Sequence, residues 1–176
     1  MTSDPKPPTT PTFQAPDFTS AVEADAADQE RSAASAEQNS PASSGTRPLL
    51  VVDAANVIGS RPDGWWKDRA GAARRLLTNL AAYHQTEGAE TDIAVILEGA
   101  ARPAADAIPT TPTLQVVLAP HSGDDTIVDV VADAFAQTPN REVTVVTADR
   151  GLRARVEPLG ARTTGPNTLY ALIDPK

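Results

Sequence analysis

Leu49-Leu50-Val51-Val52-Asp53-Ala54-Ala55-Asn56-Val57-Ile58 decides how this chain is read: aliphatic side chains run without a polar break into a carboxylate, and small residues follow. A strand with one wet face alternates apolar and polar residues, whereas an unbroken apolar run fits a strand covered by helices on both faces. Outward from this stretch the same texture returns at 93–98, 114–118 and 143–147, each nearly pure Val, Ile and Leu. Between these runs the period changes. Ala73, Leu76, Leu77, Leu80 and Tyr83 fall at helical spacing within 66–84, as do Ile127, Val128, Val131, Ala134 and Phe135 within 124–137. A short helix over 149–157, a last strand after Gly160 and a closing helical turn over 169–173 complete the pattern. Strands alternating with helices predict an α/β domain of three layers around a central parallel sheet of four to five strands.

The domain is expected to fill residues 48–176. Residues 1–47 are rich in Pro, Ser, Thr and Ala, carry scattered acids and contain no sustained apolar run. Such a segment cannot bury enough surface to offset the entropy of ordering, so it reads as a disordered acidic tail. The whole chain carries 23 acids against 15 bases, a net charge of −8; seven of the acids and three of the bases lie in the tail, leaving the domain near −4. That balance argues against gripping nucleic acid through bulk charge and suits a cation site. With no cysteine and two histidines, any metal is expected on oxygen ligands. The N-terminus has no signal-like segment and no run reaches the roughly 20 apolar residues of a membrane span. A cytoplasmic protein without membrane attachment is the expectation.

Acids stand where the apolar runs end: Asp53, Glu98 and, just past Val145-Val146-Thr147, Asp149, with Asp124 and Asp125 opening the helix after the third run. In a parallel sheet the strand C-termini share one edge, and ligands bind there where strand order reverses. Carboxylates gathered at one place repel one another unless a divalent cation neutralises them, and hard oxygen donors favour magnesium or manganese. Each acid also has a plainer reading. Asp124, Asp125 or Asp149 can cap a helix N-terminus. Capping accounts for the acids singly and leaves their common edge unexplained.

These motifs, Val-Val-Asp53-Ala-Ala-Asn56, Val-Ile-Leu-Glu98-Gly99, Gly123-Asp124-Asp125-Thr-Ile-Val and Val-Val-Thr147-Ala-Asp149-Arg-Gly-Leu, in this order, resemble those of the PIN-like nucleases, and among them the NYN and YacP-like domains. The resemblance covers essentially all of 48–176. It implies a three-layer fold and one or two Mg2+ or Mn2+ ions that activate water to cleave phosphodiester bonds, usually in RNA. Matched by residue, it makes Asp53, Asp124 and Asp149 the principal metal ligands, Glu98 and Asp125 supplementary ones, and Asn56 and Thr147 orienting hydrogen-bond partners. Glu98 is one methylene longer than the Asp often found at the second strand of YacP-like members, a departure that would move a second metal or reduce it to an outer-shell role. The chemistry agrees: a carboxylate-held metal acidifies its water and stabilises charge building on phosphorus, with no histidine base required.

Arg61, Lys67, Arg69, Arg150 and Arg153 are the basic side chains placed to contact RNA, although each also reads as an ordinary solvated charge. Trp65 and Trp66 suit base stacking at the rim of a nuclease site, yet at least one of them, beginning an amphipathic helix, is expected in the core. His121 is expected in an exposed loop. The function expected is an endoribonuclease acting on single-stranded or loop RNA, delivered to its target by a larger RNA–protein assembly such as the ribosome because the domain is acidic. The alternatives are a catalytically weak RNA- or protein-binding module of the same fold, or another phosphate hydrolase such as a nucleotide pyrophosphohydrolase. The latter would show paired glutamates on helices. A receiver domain needs a lysine where Arg162-Thr163-Thr164 stands, and a dinucleotide site needs glycines that Asp53-Ala-Ala-Asn56 lacks.

Overall fold

The computed structural model describes residues 46–174. The acidic tail expected over 1–47 lies, apart from its last two residues, outside the described residues. Five strands form one parallel sheet: β1 (Leu49–Asp53), β2 (Asp92–Leu97), β3 (Leu114–Leu118), β4 (Val143–Val146) and β5 (Arg162–Thr164), in the order β3-β2-β1-β4-β5. The chain builds outward from β1 through β2 to β3, then returns to the other side of β1 for β4 and β5. Strand order therefore reverses between β1 and β4, the position at which loops leave in opposite directions and open a crevice.

Helices cover both faces: α1 (Ala54–Gly59), α2 (Arg69–Thr86), α3 (Gly123–Gln137), α4 (Arg150–Val156) and α5 (Pro166–Ile173). Two separate apolar cores result. Val52, Val95 and Leu97 pack with Val57 of α1, Leu76, Leu77 and Leu80 of α2, and Leu169 and Ile173 of α5. On the other face Val51, Ile96 and Val145 pack with Ile127 and Val131 of α3 and Leu152 and Val156 of α4. Neighbouring residues of one strand thus enter different cores, which is why β1 and β2 are apolar everywhere but at one end.

The expected architecture is the one found, with corrections at several element ends. The small residues after Asp53 form a short helix because the Asp53 side chain caps it, accepting the Asn56 N–H at 3.0 Å. The helix expected from Trp66 begins at Arg69, where Asp68 supplies the cap to the Gly71 N–H; Trp65–Lys67 forms a separate 3-10 turn. A longer 3-10 segment, Gly99–Ala107, contains Pro103 and follows β2. Among the described residues no helix is long and apolar enough to cross a membrane.

Candidate functional site

At the C-terminal edge of the sheet, Asp53, Glu98, Asp124 and Asp149 line one open pocket of about 470 Å³, together with Ala55, Asn56, Gly59, Ser60 and Ala148. No lysine or arginine is among its walls. Each acid arrives by a different route. Asp53 is the last residue of β1, and Glu98 follows the last residue of β2. Asp124 sits in the first turn of α3, and Asp149 caps α4. Space for the pocket comes from α1, whose Ala55 and Gly59 are four residues apart and so share a helix face that carries almost no side chain.

Hydrogen bonds fix Asp53, Asp149 and Glu98 in place. Asp53 is buried at 7% exposure, and its Oδ2 accepts the Thr147 hydroxyl at 2.9 Å while Oδ1 accepts the Asn56 N–H. Asn56 in turn uses its side-chain oxygen to accept the Ala148 N–H at 2.8 Å, joining α1 to the loop after β4. Asp149 accepts the Leu152 N–H at 2.8 Å through Oδ1, so the capping role foreseen for it is real. Glu98 accepts the Gly123 N–H at 2.7 Å through Oε2, an arrangement that brings the turn before α3 against the end of β2.

The acids also feel one another. Burial pushes the Asp53 carboxyl above its ordinary range; the bonds from Asn56 and Thr147 oppose this, and the charges of Asp124 and Glu98 add to it. Burial likewise raises Asp124, reinforced by Asp149, Glu98 and Asp125 and opposed by Arg155. Among the described residues, however, no three acidic or histidine side chains lie close enough to hold one ion as they stand. The donor set, carboxylate oxygens without histidine or thiolate, fits a hard divalent cation by its chemistry.

The other residues singled out in the sequence are dispersed. Asp125, one position beyond Asp124 on α3, is exposed and paired with Arg155 at 2.7 Å rather than lining the pocket. Arg61 lies over the Tyr170 ring, 3.4 Å from its centroid, and pairs with Asp174 at 2.9 Å. Arg153 donates from Nε and Nη2 to the Thr147 carbonyl at 3.1 and 2.7 Å. Lys67 and Arg150 are exposed, and Arg69 stands 5.3 Å from the centroid of Trp65. Trp65 packs partly into the core while Trp66 is 55% exposed, and His121 is exposed. Gly59, Ser60 and Ala148 also line the pocket and were not among the residues singled out in the sequence. The i, i+4 spacing of Ala55 and Gly59 was the available signal, but it has meaning only once α1 is known to be a helix.

The same fold occurs in Rae1 (YacP) from Bacillus subtilis, whose crystal structure aligns with a TM-score of 0.58 at 19% sequence identity, over 72% of this chain and 73% of that one. The structure of a tryptophan-to-leucine variant of that protein aligns with a TM-score of 0.58 at 17% identity, over 72% of this chain and 75% of that one. No family model matches the sequence. No curated protein matches it either. The fold is therefore the YacP-like one that the motifs imply.

Proposed function

We propose that the domain is a divalent-metal-dependent endoribonuclease. The observation that carries this reading is the pocket at the strand-order reversal, walled by Asp53, Glu98, Asp124 and Asp149 and by no basic side chain. Crowding carboxylates around a buried one, with Arg155 alone acting against the rise at Asp124, costs stability, and a fold retains such an arrangement where a function uses it. Asp53, Asp124 and Asp149, with Glu98 in support, are the residues that would hold Mg2+ or Mn2+. Asp125 is left with a more distant part because Arg155 engages it. A bound divalent ion would supply Lewis acidity for in-line displacement at phosphorus.

The remaining roles belong to the chain itself. Thr147 and Asn56 hold Asp53 in one orientation and tie the end of β1 to the loop that carries Asp149. The open mouth admits a strand of RNA, single-stranded or in a loop. An acidic domain does not collect RNA by bulk charge, so the reading includes delivery by a larger RNA–protein assembly such as the ribosome, in the cytoplasm. The likeness in fold to Rae1 (YacP) supports the reading at the level of architecture.

One observation favours a second reading, a catalytically weak binding module: the separation of the acids as they stand. Cleavage of a labelled mixed-sequence RNA distinguishes the two, comparing the full chain with Mg2+ or Mn2+, the chain in chelator, Asp124→Ala and Asp149→Ala. Metal-dependent cutting lost in both variants is the result expected. Absence of cutting by a folded wild type in both metals, with RNA still bound, would leave the binding module.

A further inference from the structure

Beside the carboxylate pocket lies a second cavity of about 160 Å³ with a different chemistry, walled by Ala55, Ile58, Trp65, Arg69, Glu98 and Ala100. Its exposed lining is mainly apolar, and it shares Ala55 and Glu98 with the acidic pocket. The two are also joined through Gly59, which lines the acidic pocket and whose missing Cβ would stand 3.7 Å from the Trp65 ring. We infer that this cavity receives one nucleobase of a single-stranded RNA, the base nearest the phosphodiester held at the acids.

A base fits these walls better than a sugar or a phosphate does. Trp65 offers an aromatic face, which binds any base by stacking and does so without strong sequence preference. The exposed Arg69 guanidinium lies over the Trp65 ring, 5.3 Å from its centroid and within cation–π range, so it occupies the face that a base would take and swings outward to cover the base once it has entered. Trp66, 55% exposed and edge-on to Trp65 with centroids 6.2 Å apart, gives the next base of the strand a platform outside the cavity. A cavity this recessed accepts a base only when it is splayed from its neighbours, which selects single strands and loops over duplex. Of the five basic residues singled out in the sequence, Arg69 is the one that borders this cavity, and it acts on a base rather than on a phosphate.

This inference rests on the ribonuclease reading, and its test separates the two. Ala100 is exposed at the cavity wall, so Ala100→Phe fills the cavity from outside the core; an unchanged melting temperature verifies that the fold is kept. The chain's two tryptophans are Trp65 and Trp66, so intrinsic fluorescence reports on this place alone. The full-length protein in chelator is titrated with a short single-stranded oligonucleotide whose linkages are uncharged methylphosphonates, which the acids do not repel. Saturable quenching, weakened about 10- to 100-fold by Ala100→Phe, is expected for loss of one stacked base. In the cleavage assay, RNA with an abasic residue at the cut is expected to react about 10- to 100-fold less well than intact RNA, and Ala100→Phe is expected to abolish that preference. Normal RNA cleavage with no quenching and no abasic effect would overturn the base cavity and leave the ribonuclease reading intact. Base-dependent quenching without any cleavage would support the cavity and overturn the ribonuclease. A change of oligomeric state in Ala100→Phe, with quenching unaltered, would assign the cavity to a protein contact and overturn the inference.

Discussion

The Thr147 hydroxyl donates to Asp53 Oδ2 at 2.9 Å and accepts the Asp149 N–H at 3.0 Å, so one oxygen couples the carboxylate ending β1 to the turn that presents Asp149. Asp53 and Thr147 are the buried polar side chains among the described residues, at 7% and 0% exposure. Each satisfies the other in the place where the two halves of the sheet meet. Such a pair is costly to break, because removing one partner strands the other without water.

Thr147→Val keeps the size and branching of the side chain but removes its hydroxyl. Asp53 Oδ2 loses a donor and the Asp149 N–H loses an acceptor. Urea unfolding of the variant is expected to show a loss of about 1–3 kcal/mol, while Thr147→Ser, which keeps the hydroxyl, stays near wild type. Cleavage is expected to fall in the valine variant and to recover in the serine variant. Equal stability of wild type and the valine variant would mean that the hydroxyl does not tie these residues together.

Arg153 and Arg150 are three residues apart and carry the same charge, but their surroundings give them different work. Arg153 holds the Thr147 carbonyl with two donors, whereas Arg150 is exposed. Arg153→Met is expected to cost about 1–2 kcal/mol of stability and to lower cleavage, with the salt dependence of RNA affinity unchanged. Arg150→Met is expected to leave stability alone and to reduce the slope of log affinity against log salt by about 0.7–1. A reduced slope in the Arg153 variant would return that residue to the RNA surface.

Much of this arrangement was legible in the sequence because it is written in local signals. The strands over 49–53 and 114–118 begin and end where their apolar runs do, and the acids ending three of the runs reach one sheet edge because parallel pairing puts them there. What escaped the sequence depends on contacts made between distant segments. α1 is six residues long, too short to display a helical period, and its start is decided by the Asp53 cap. The 3-10 segment Gly99–Ala107 places Ala101, Ala104 and Ala105 at helical spacing, but they are small and Pro103 interrupts them. Asp124 and Asp125 look equivalent as neighbours, yet one helical step of about 100° turns Asp125 toward Arg155 on α4. Arg61 and Arg153 could not be told from substrate-facing arginines until Tyr170, Asp174 and the Thr147 carbonyl were in place.

Gly123 illustrates a glycine required by close approach. A Cβ built there would stand 2.9 Å from Glu98 Oε2 and 3.1 Å from its Cδ. Two effects compete in Gly123→Ala: alanine favours the helix by up to about 1 kcal/mol, and the new methyl displaces the Glu98 carboxylate. The variant is expected to melt near wild type but to bind Mn2+ about 10-fold more weakly, as is usual when the support of a ligand is disturbed. Calorimetric titration measures this, and an unchanged affinity would place Glu98 outside the metal's reach.

Asp124 gives the pH test of a site where burial and like charge outweigh the nearby Arg155. Its carboxyl in the folded protein is raised above the ordinary 3.8, chiefly by burial and then by Asp149. The native state therefore keeps a proton that the unfolded chain releases, and stability falls as pH rises from about 4 through the raised value. Asp124→Asn removes that dependence. In chelator, the urea midpoint of the variant is expected to gain on wild type between about pH 4 and the native value and to hold a constant lead or deficit above it; the helix dipole, which favours the acid by about 0.3–1 kcal/mol, sets the offset and not the trend. Added Mn2+ should reverse the gain, because an ion at 100 times its Kd stabilises wild type by about 2.7 kcal/mol and the variant by less. A wild type that instead gains on the variant with rising pH in chelator would mean that a cationic group of the protein already balances Asp124, and the case for a metal in this pocket would fail.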